Sequence, residues 1–267
     1  MKIKLREIIK IIETWSPKSF SEDFDNVGLI VGDQNSETTK ALITIDTTES
    51  VVDEALKKKC NLIISFHPII FHGLKKLTEE TYVERTVRKA IKNNVNIYAL
   101  HTNLDNHPKG VNYMISKKIG LKKTSFLIPN KNPDIGMGMI GYIEKPMKEK
   151  DFLIYVRKKM NSNFIKHSNF TGNQIKKIAV VGGSGSFAIE NALNENVNCL
   201  ITSDLKYHDY FKSEDKILLV DIGHYESEQF TKDVILDFLN KKIPKFACVK
   251  SNTITNPVNY FNYGEKD

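Results

Sequence analysis

The sequence predicts an α/β fold of two related lobes with mainly parallel or mixed sheets. The first observation behind this prediction is that short apolar segments, typical of buried strands, alternate with helical patterns. The predicted strands are Ala41–Asp46, Leu62–Phe66, Val95–Leu100, Ile178–Val181, Cys199–Thr202 and Ile217–Asp221. The predicted helices are Ser50–Lys59, Glu79–Asn93, Ser186–Asn194 and Tyr225–Asn240.

The second observation is an internal similarity, which predicts the two lobes. The segment LITIDTTESVVDEALKKKCNLIISFHP resembles AVVGGSGSFAIENALNENVNCLITSDL at a shift of 137 residues. Each copy has the pattern strand, turn of small residues, helix, strand, although any two strand–helix–strand units share that pattern. We place the second lobe at residues 125–220 and the first at 1–124 plus 221–267.

Composition is consistent with a globular protein. The chain has 267 residues, of which 40% are hydrophobic, and this is enough for a sizeable core. No apolar run approaches the roughly 20 residues needed to cross a bilayer, so no membrane association is expected. The apolar residues of the first segment, from Ile8 to Trp15, fit one helical face, which favours a docked amphipathic helix over a signal peptide.

The cysteines and the charge exclude several classes of protein. The three cysteines have no C-x-x-C spacing, so we expect neither a disulfide framework nor a thiolate zinc site, and a cytoplasmic location. Lysine and arginine exceed the acidic residues by 39 to 32, a net charge of +7. The lysines are scattered rather than interleaved with aromatic residues, so nucleic-acid binding is not favoured.

Imidazoles and carboxylates follow three of the predicted strands. His67 precedes Pro68, which ends its strand, and the motif His101–Asp105 follows the next strand. After the last predicted strand come His224 and Glu228, which are four residues apart and would share one face of a helix. Carboxyl ends of parallel strands meet at one edge of a sheet, where ligands bind.

Together these residues have the donor atoms of a metal site. Neutral imidazole with carboxylate is the ligand set of Zn, Mn or Fe(II). Each motif also has a structural interpretation: a single histidine can be an ordinary polar residue, Asn103 or Asp105 can cap a helix, and His224 with Glu228 can be a surface pair. Convergence at one edge favours a divalent-metal site built from His67, Asp105, His224 and Glu228.

A small-residue segment offers a second hypothesis, nucleotide binding. Residues 181–188, VGGSGSFA, fit the loose G-x-G-x-x-G/A pattern with Asp204 further on, but no Gly-Lys-Ser/Thr follows. A tight strand-to-helix turn explains the same residues and is favoured here, so no cofactor-binding residue is assigned. The sequence Asp25-Asn26-Val27-Gly28 similarly reads as a turn with glycine at positive φ, or as a lining of the metal cleft.

The motifs in combination resemble a known family. They are DNVGLIVGD (Asp25–Asp33), HPIIFHGLKKLT (His67–Thr78), HTNLDNHPKGVN (His101–Asn112), TSDLKYHD (Thr202–Asp209) and DIGHYESE (Asp221–Glu228). They occur in order along nearly the whole chain. The chain resembles the dinuclear-metal-centre proteins known as GTP cyclohydrolase I type 2 homologues, also called NIF-three-like.

The resemblance implies a metal cleft between the lobes and roles for individual residues. One metal would be held by His67, Asp105 and Glu228, and a second by His224, the shared Glu228 and the first histidine of a His-His-Pro motif. That last position is Phe66 here, and a phenyl ring cannot bind a metal, so the second ion is in doubt. One or two ions of Zn, Mn or Fe are therefore expected. Four other histidines could replace the missing ligand: His72, His101, His107 and His208.

The resemblance also implies an assembly and an activity. Family members form homohexamers, arranged as trimers of dimers, and we expect a metal-dependent hydrolase of a small, nucleotide-like substrate in which His101 and His208 move protons. The family label does not establish turnover of GTP. The alternative is a non-enzymatic metal-binding scaffold or regulator that works through protein partners, which the loss of a ligand at Phe66 favours. Nucleic-acid binding in a basic ring channel is a third hypothesis.

Overall fold

The chain has a mixed α/β fold in a computed structural model, which describes residues 2–261. The strands are β1 (Ile3–Lys4), β2 (Gly28–Val31), β3 (Glu37–Thr38), β4 (Lys40–Thr44), β5 (Leu62–Ser65), β6 (Asn96–Ala99), β7 (Lys122–Pro129), β8 (Gly136–Lys148), β9 (Lys166–His167), β10 (Gln174–Ser184), β11 (Cys199–Ser203), β12 (Leu218–Asp221) and β13 (Ala247–Lys250). The helices are α1 (Leu5–Trp15), α2 (Glu49–Lys57), α3 (Tyr82–Lys92), α4 (Thr102–Asp105), α5 (Val111–Ile119), α6 (Glu149–Met160), α7 (Ile189–Asn194), α8 (His224–Glu228) and α9 (Thr231–Lys242). Short 3-10 helices cover Lys18–Phe20, Ser186–Ala188 and Tyr207–Ser213.

Among residues 2–261, no helix combines the length and apolar character that a bilayer span requires.

The chain divides into two units. Among the described residues, unit 1 comprises residues 2–107 together with Phe230–Thr255, and unit 2 comprises Pro108–Gln229 together with residues 256–261. The lobe boundaries placed at 124/125 and 220/221 from the sequence differ from these limits, and those lobe boundaries stay a prediction.

Unit 1 contains a five-stranded sheet in the order β13-β4-β5-β6-β2, with β2 alone antiparallel to its neighbour. The central strands are buried on both faces, as their continuous apolar sequences predict. Thr44 pairs with Ser65, and Ser65 pairs with Ala99, so β4, β5 and β6 end level with one another. This register places the residues that follow these strands in one row.

Unit 2 contains a six-stranded sheet in the order β7-β8-β10-β11-β12-β9. The strands β10, β11 and β12 are parallel, whereas β7, β8 and β9 pair antiparallel. The expectation of mixed sheets is therefore confirmed, and all six predicted strands are present. The antiparallel strands β7 and β9 were not predicted because both are largely exposed and lack a continuous apolar core pattern.

The predicted helix Tyr225–Asn240 is wrong as a continuous element. It is two helices, α8 and α9, separated at Gln229 and Phe230. The break coincides with the passage of the chain from unit 2 to unit 1, so apolar spacing alone does not show it.

The internal similarity has a structural counterpart. In both copies the paired residues of the two parallel strands are 21 positions apart in the chain, as in Ala41 with Leu62 and Ile178 with Cys199. Each pair of strands is joined by a helix, α2 in one copy and α7 in the other. The common register supports the predicted relatedness of the copies, which itself stays a prediction.

A partly buried carboxylate on α2, that of Glu54, holds the segment that follows β13. Glu54 accepts hydrogen bonds from Lys58 Nζ (2.6 Å), Ser251 Oγ (2.5 Å), the Asn252 N–H (2.7 Å) and both the N–H (3.1 Å) and the hydroxyl (2.7 Å) of Thr253. Burial works to raise the pKa of Glu54, but these hydrogen bonds outweigh it and hold that pKa below its ordinary value. The ionised form of Glu54 therefore stabilises the fold.

We predict that Glu54→Gln lowers the free energy of unfolding by about 1–3 kcal/mol at pH 7, because the amide keeps one acceptor oxygen and turns an NH2 donor toward the remaining donors. The pKa of Glu54 in the native state lies below its value in the unfolded state, so the stabilisation is fully present above about pH 4.5. It decreases progressively as the pH falls from there toward the native pKa. Urea unfolding of wild type and variant at pH 7 and pH 3.5 measures both effects.

Glu80→Gln is the matched control, because Glu80 is exposed and its carboxylate pairs with Lys76 four residues away. It should change stability by less than about 0.5 kcal/mol at either pH. Equal effects of the two substitutions would contradict the role assigned to Glu54.

Candidate metal centre

The row of residues after β4, β5 and β6 in unit 1 brings an imidazole against a carboxylate. Asp46 lies two residues beyond the end of β4 and His67 two residues beyond the end of β5, at equivalent positions in the register. Asp46 Oδ1 lies 2.7 Å from Nδ1 of His67. The other carboxylate oxygen of Asp46 accepts from the Thr255 hydroxyl at 2.5 Å.

This pairing determines which nitrogen of His67 would bind a metal. When Nδ1 donates its proton to Asp46, the basic nitrogen of the ring is Nε2. Metal-binding histidines are usually oriented by a carboxylate in this way, which fixes the tautomer and increases the basicity of the ligand. The geometry of His67 thus matches that of a histidine prepared as a ligand through Nε2.

His101 occupies the next position in the same row, after β6. Its Nδ1 lies 2.8 Å from Asp25 Oδ1, and the ring centroid is 5.3 Å from that of His67. Asp25 Oδ2 also accepts from the backbone N–H (3.0 Å) and the hydroxyl (2.5 Å) of Thr102. Burial works to raise the pKa of Asp25, but the bonds from His101 and Thr102 outweigh it and lower that pKa to about 2. The turn at Asp25 is therefore both a structural turn and the support of His101.

Asp105 is the last residue of α4 and is buried. The helix-cap interpretation does not apply to it, because the N-cap position is His101 and the side chain of Asn103 accepts from the His101 N–H at 2.9 Å. Its role as a metal ligand stays a prediction.

In unit 2, one turn of α8 places His224 and Glu228 side by side, as the spacing of four predicts. His224 Nε2 lies 3.2 Å from Glu228 Oε2, and the glutamate side chain is only 4% exposed. Nδ1 of His224 lies 2.7 Å from Asp204 Oδ2. His224 therefore has the same arrangement as His67, with an aspartate at Nδ1.

Burial works to lower the pKa of His224, but its bonds to Asp204 and Glu228 outweigh burial and raise that pKa to about 11. The two carboxylates flank the ring and stabilise its proton. A divalent ion at Nε2 would replace this proton and supply the positive charge that the carboxylates stabilise.

The small-residue segment that begins at the end of β10 makes room for this pair. Gly183 has φ of +62°, and a Cβ there would collide with Glu228 Oε1. The Gly183 N–H donates to Ser227 Oγ at 2.9 Å. The helix that follows, α7, has six residues and starts after a 3-10 turn. These observations support the tight-turn interpretation of VGGSGSFA and give Gly183 a role beside the candidate ligands.

Phe66 is fully buried, with its ring centroid 4.9 Å from that of His67 and 5.6 Å from that of His101. Of the four histidines considered as replacements, His101 is bonded to Asp25 and His107 contacts Trp15. His72 is exposed and contacts Phe71, and His208 is exposed and contacts Tyr207 and Phe211. The catalytic roles predicted for His101 and His208 stay predictions.

The donor set fits a divalent cation. Within residues 2–261, the group of side chains that could hold a metal ion comprises His67, His224 and Glu228. Two imidazole nitrogens and a carboxylate oxygen suit Zn, Mn or Fe(II) and leave room for a further ligand. The predicted fourth ligand, Asp105, is outside this group.

Sequence reasoning missed the aspartates Asp46 and Asp204 that support the two histidines. A signal was present, because both follow apolar strands directly, as the ligands do. The hydrogen bonds that distinguish a supporting aspartate from a ligand join residues 20 or more positions apart, which the spacing does not indicate.

Comparison with known proteins gives relatives along the whole chain. A Clostridium acetobutylicum protein named GTP cyclohydrolase 1 type 2 homolog is 36% identical over 233 residues, which is 85% of this chain and 86% of the relative. A Campylobacter jejuni protein of the same name is 31% identical over 264 residues, which is 97% of this chain and 100% of the relative.

Solved structures have the same fold. A Staphylococcus aureus hypothetical protein matches with a TM-score of 0.90 and 28% identity, covering 97% of this chain and 99% of its own. A Bacillus cereus protein related to NIF3 matches with a TM-score of 0.89 and 22% identity, covering 96% and 99%. The model of the family described as Duf34/NIF3 (NGG1p interacting factor 3) matches residues 3–257. The chain therefore belongs to the Duf34/NIF3 family.

Proposed function

We propose that this protein binds a divalent metal ion through His67, Asp105, His224 and Glu228 and is a metal-dependent hydrolase of a small substrate. The observation that carries the proposal is that His67 and His224 each have an aspartate carboxylate at Nδ1, which leaves Nε2 as the nitrogen that can bind a metal. A bound divalent ion would lower the pKa of a coordinated water toward neutrality and make it a nucleophile. The curated relatives are named GTP cyclohydrolase 1 type 2 homolog, but a name does not establish a substrate.

The remaining residues have separate tasks in this proposal. Asp46 and Asp204 orient the two imidazoles, and the buried Glu228 supplies negative charge that a cation would neutralise. His101 is the proposed proton carrier in unit 1, since it lies next to His67 and is oriented by Asp25. His208 is a weaker candidate for proton transfer, because its ring contacts are with exposed aromatic side chains.

Phe66 favours a second candidate function, a non-enzymatic metal-binding scaffold or regulator. Its fully buried phenyl ring stands where the resemblance implies a histidine that binds the second metal, the first histidine of the His-His-Pro motif. A centre with a single ion lacks the bridged nucleophile of a two-metal hydrolase. The metal content of the protein distinguishes one-metal from two-metal mechanisms.

We further propose that the chain forms a homohexamer in the cytoplasm. The assembly rests on the resemblance, and the compartment is supported by three free cysteines, Cys60, Cys199 and Cys248. The mass of the purified protein by light scattering tests the assembly, and a monomeric mass would overturn it.

We predict about one tightly bound divalent ion per chain in the wild type and about two in Phe66→His, because the variant restores an imidazole next to His67. Elemental analysis of protein purified without added metal or chelator measures the content. Phe66→Leu is the control, since it keeps an apolar side chain and should keep about one ion.

Two other results are informative. About two ions in the wild type would mean that another residue supplies the missing ligand, which favours the two-metal hydrolase. No tightly bound metal in any of the three proteins would overturn the site assignment.

We predict that Asp46→Asn weakens metal affinity by about 10–100-fold, because an amide no longer holds the His67 tautomer. Asp53→Asn is the matched control: Asp53 is also in unit 1, but it is exposed and pairs with Lys89. Competition with a chelator of known affinity measures the difference, and thermal unfolding of the metal-free proteins checks that both remain folded. Equal affinities in the two variants would contradict the role of Asp46.

A further inference from the structure

Unit 1 exposes two phenyl rings beside the candidate metal centre. Phe24 is 67% exposed and Phe71 is 38% exposed, and their ring centroids are 6.3 Å apart with a 56° angle between the ring planes. Single exposed apolar residues are common on protein surfaces and need no explanation. Two exposed aromatic rings that come from distant parts of the chain and lie next to each other are different, because together they form a larger apolar surface.

The loops that carry the two rings are held in place. Asn26 Nδ2 donates to the Ile70 carbonyl at 2.6 Å, which joins the turn of Phe24 to the segment of Phe71. Asp25, next to Phe24, is fixed by its bonds to His101 and Thr102, and its side chain is buried. The rings are therefore preorganised, so binding a ligand would cost little ordering of the protein.

A short series of ring contacts joins the phenyl pair to the candidate ligand His67. The centroid of Phe71 is 6.0 Å from that of His101, with an interplanar angle of 85°, and His101 is 5.3 Å from His67. His72, which is exposed, borders Phe71 on the other side at 5.0 Å. An apolar ring surface with imidazoles at its edges suits a planar ligand whose faces are apolar and whose edges carry hydrogen-bonding groups.

We propose that Phe24 and Phe71 form the subsite that binds a planar heteroaromatic ring of the substrate, next to the metal centre. The inference rests on the proposed function and specifies its substrate class. Stacking on phenyl rings is tolerant of ring identity, so the pair selects planar heterocycles as a class rather than one base. The polar neighbours His72 and His101 favour such a ring over the apolar surface of a second copy of the chain.

The experiment is a titration of metal-loaded, full-length protein with adenosine, with uridine and with ribose as the non-aromatic control, followed by ligand-observed NMR. Both nucleosides should bind and ribose should not. Phe71→Leu and Phe24→Leu should each weaken nucleoside binding by roughly tenfold, because a leucine offers no ring face. Phe170→Leu is the matched control, since Phe170 is 48% exposed in unit 2, and it should bind as the wild type does.

Metal content and molecular mass are measured on the same samples. Unchanged metal content with weakened nucleoside binding supports the subsite, whereas absence of metal from the wild type is a failure of the proposed function and not of the ring subsite. The subsite is overturned if ribose binds as well as the nucleosides, or if both leucine variants bind nucleosides as the wild type does. It is also overturned if the variants change only the mass, since the pair would then be covered by another copy.

Discussion

The candidate metal centre depends on one repeated interaction, an aspartate held against Nδ1 of a histidine. It occurs between Asp46 and His67 and again between Asp204 and His224. A free imidazole rotates and exists as two tautomers, so neither nitrogen is committed to a ligand. The aspartate removes that freedom, and the cost of ordering the ring is met during folding rather than during metal binding. The proposed metal binding follows from these oriented rings.

Parallel strands make this interaction available. Because β4, β5 and β6 end in register, the first residues after them stand in a row, and Asp46, His67 and His101 come from equivalent positions. In unit 2, Thr202 pairs with Asp221, so the residues that follow β11 and β12 also meet at one edge. The chemistry is thus a consequence of sheet register, since a shift by one residue would turn each of these side chains to the opposite face.

Buried carboxylates hold the irregular segments as well as the imidazoles. Glu54 binds the segment after β13, Glu149 accepts from Thr171 and Gly172, and Glu84 accepts from Thr78 and Glu80. Backbone N–H groups in loops need acceptors that secondary structure does not supply. A single carboxylate can accept from several of them at once, and each of these three glutamates does so from a helix, α2, α6 or α3, toward a neighbouring loop.

Much of this protein could be predicted from its sequence, because the signals concerned are local. Apolar runs gave the six buried strands, strand-end positions indicated His67, and the spacing of four placed His224 beside Glu228. These features depend on residue type and on separations of a few positions, where strand and helix periodicity apply.

Other features were decided only by the tertiary structure. One of these features is the break between α8 and α9. The others are contacts between distant parts of the chain: the support of the two histidines by Asp46 and Asp204, the close approach of Gly183 to Glu228, and the exposed pair of Phe24 and Phe71. Such pairings depend on which strands become neighbours and in which register, and side-chain periodicity does not carry that information. Residue identities fix which donor groups the protein possesses, whereas strand pairing and register fix which of those groups are oriented, buried or left exposed.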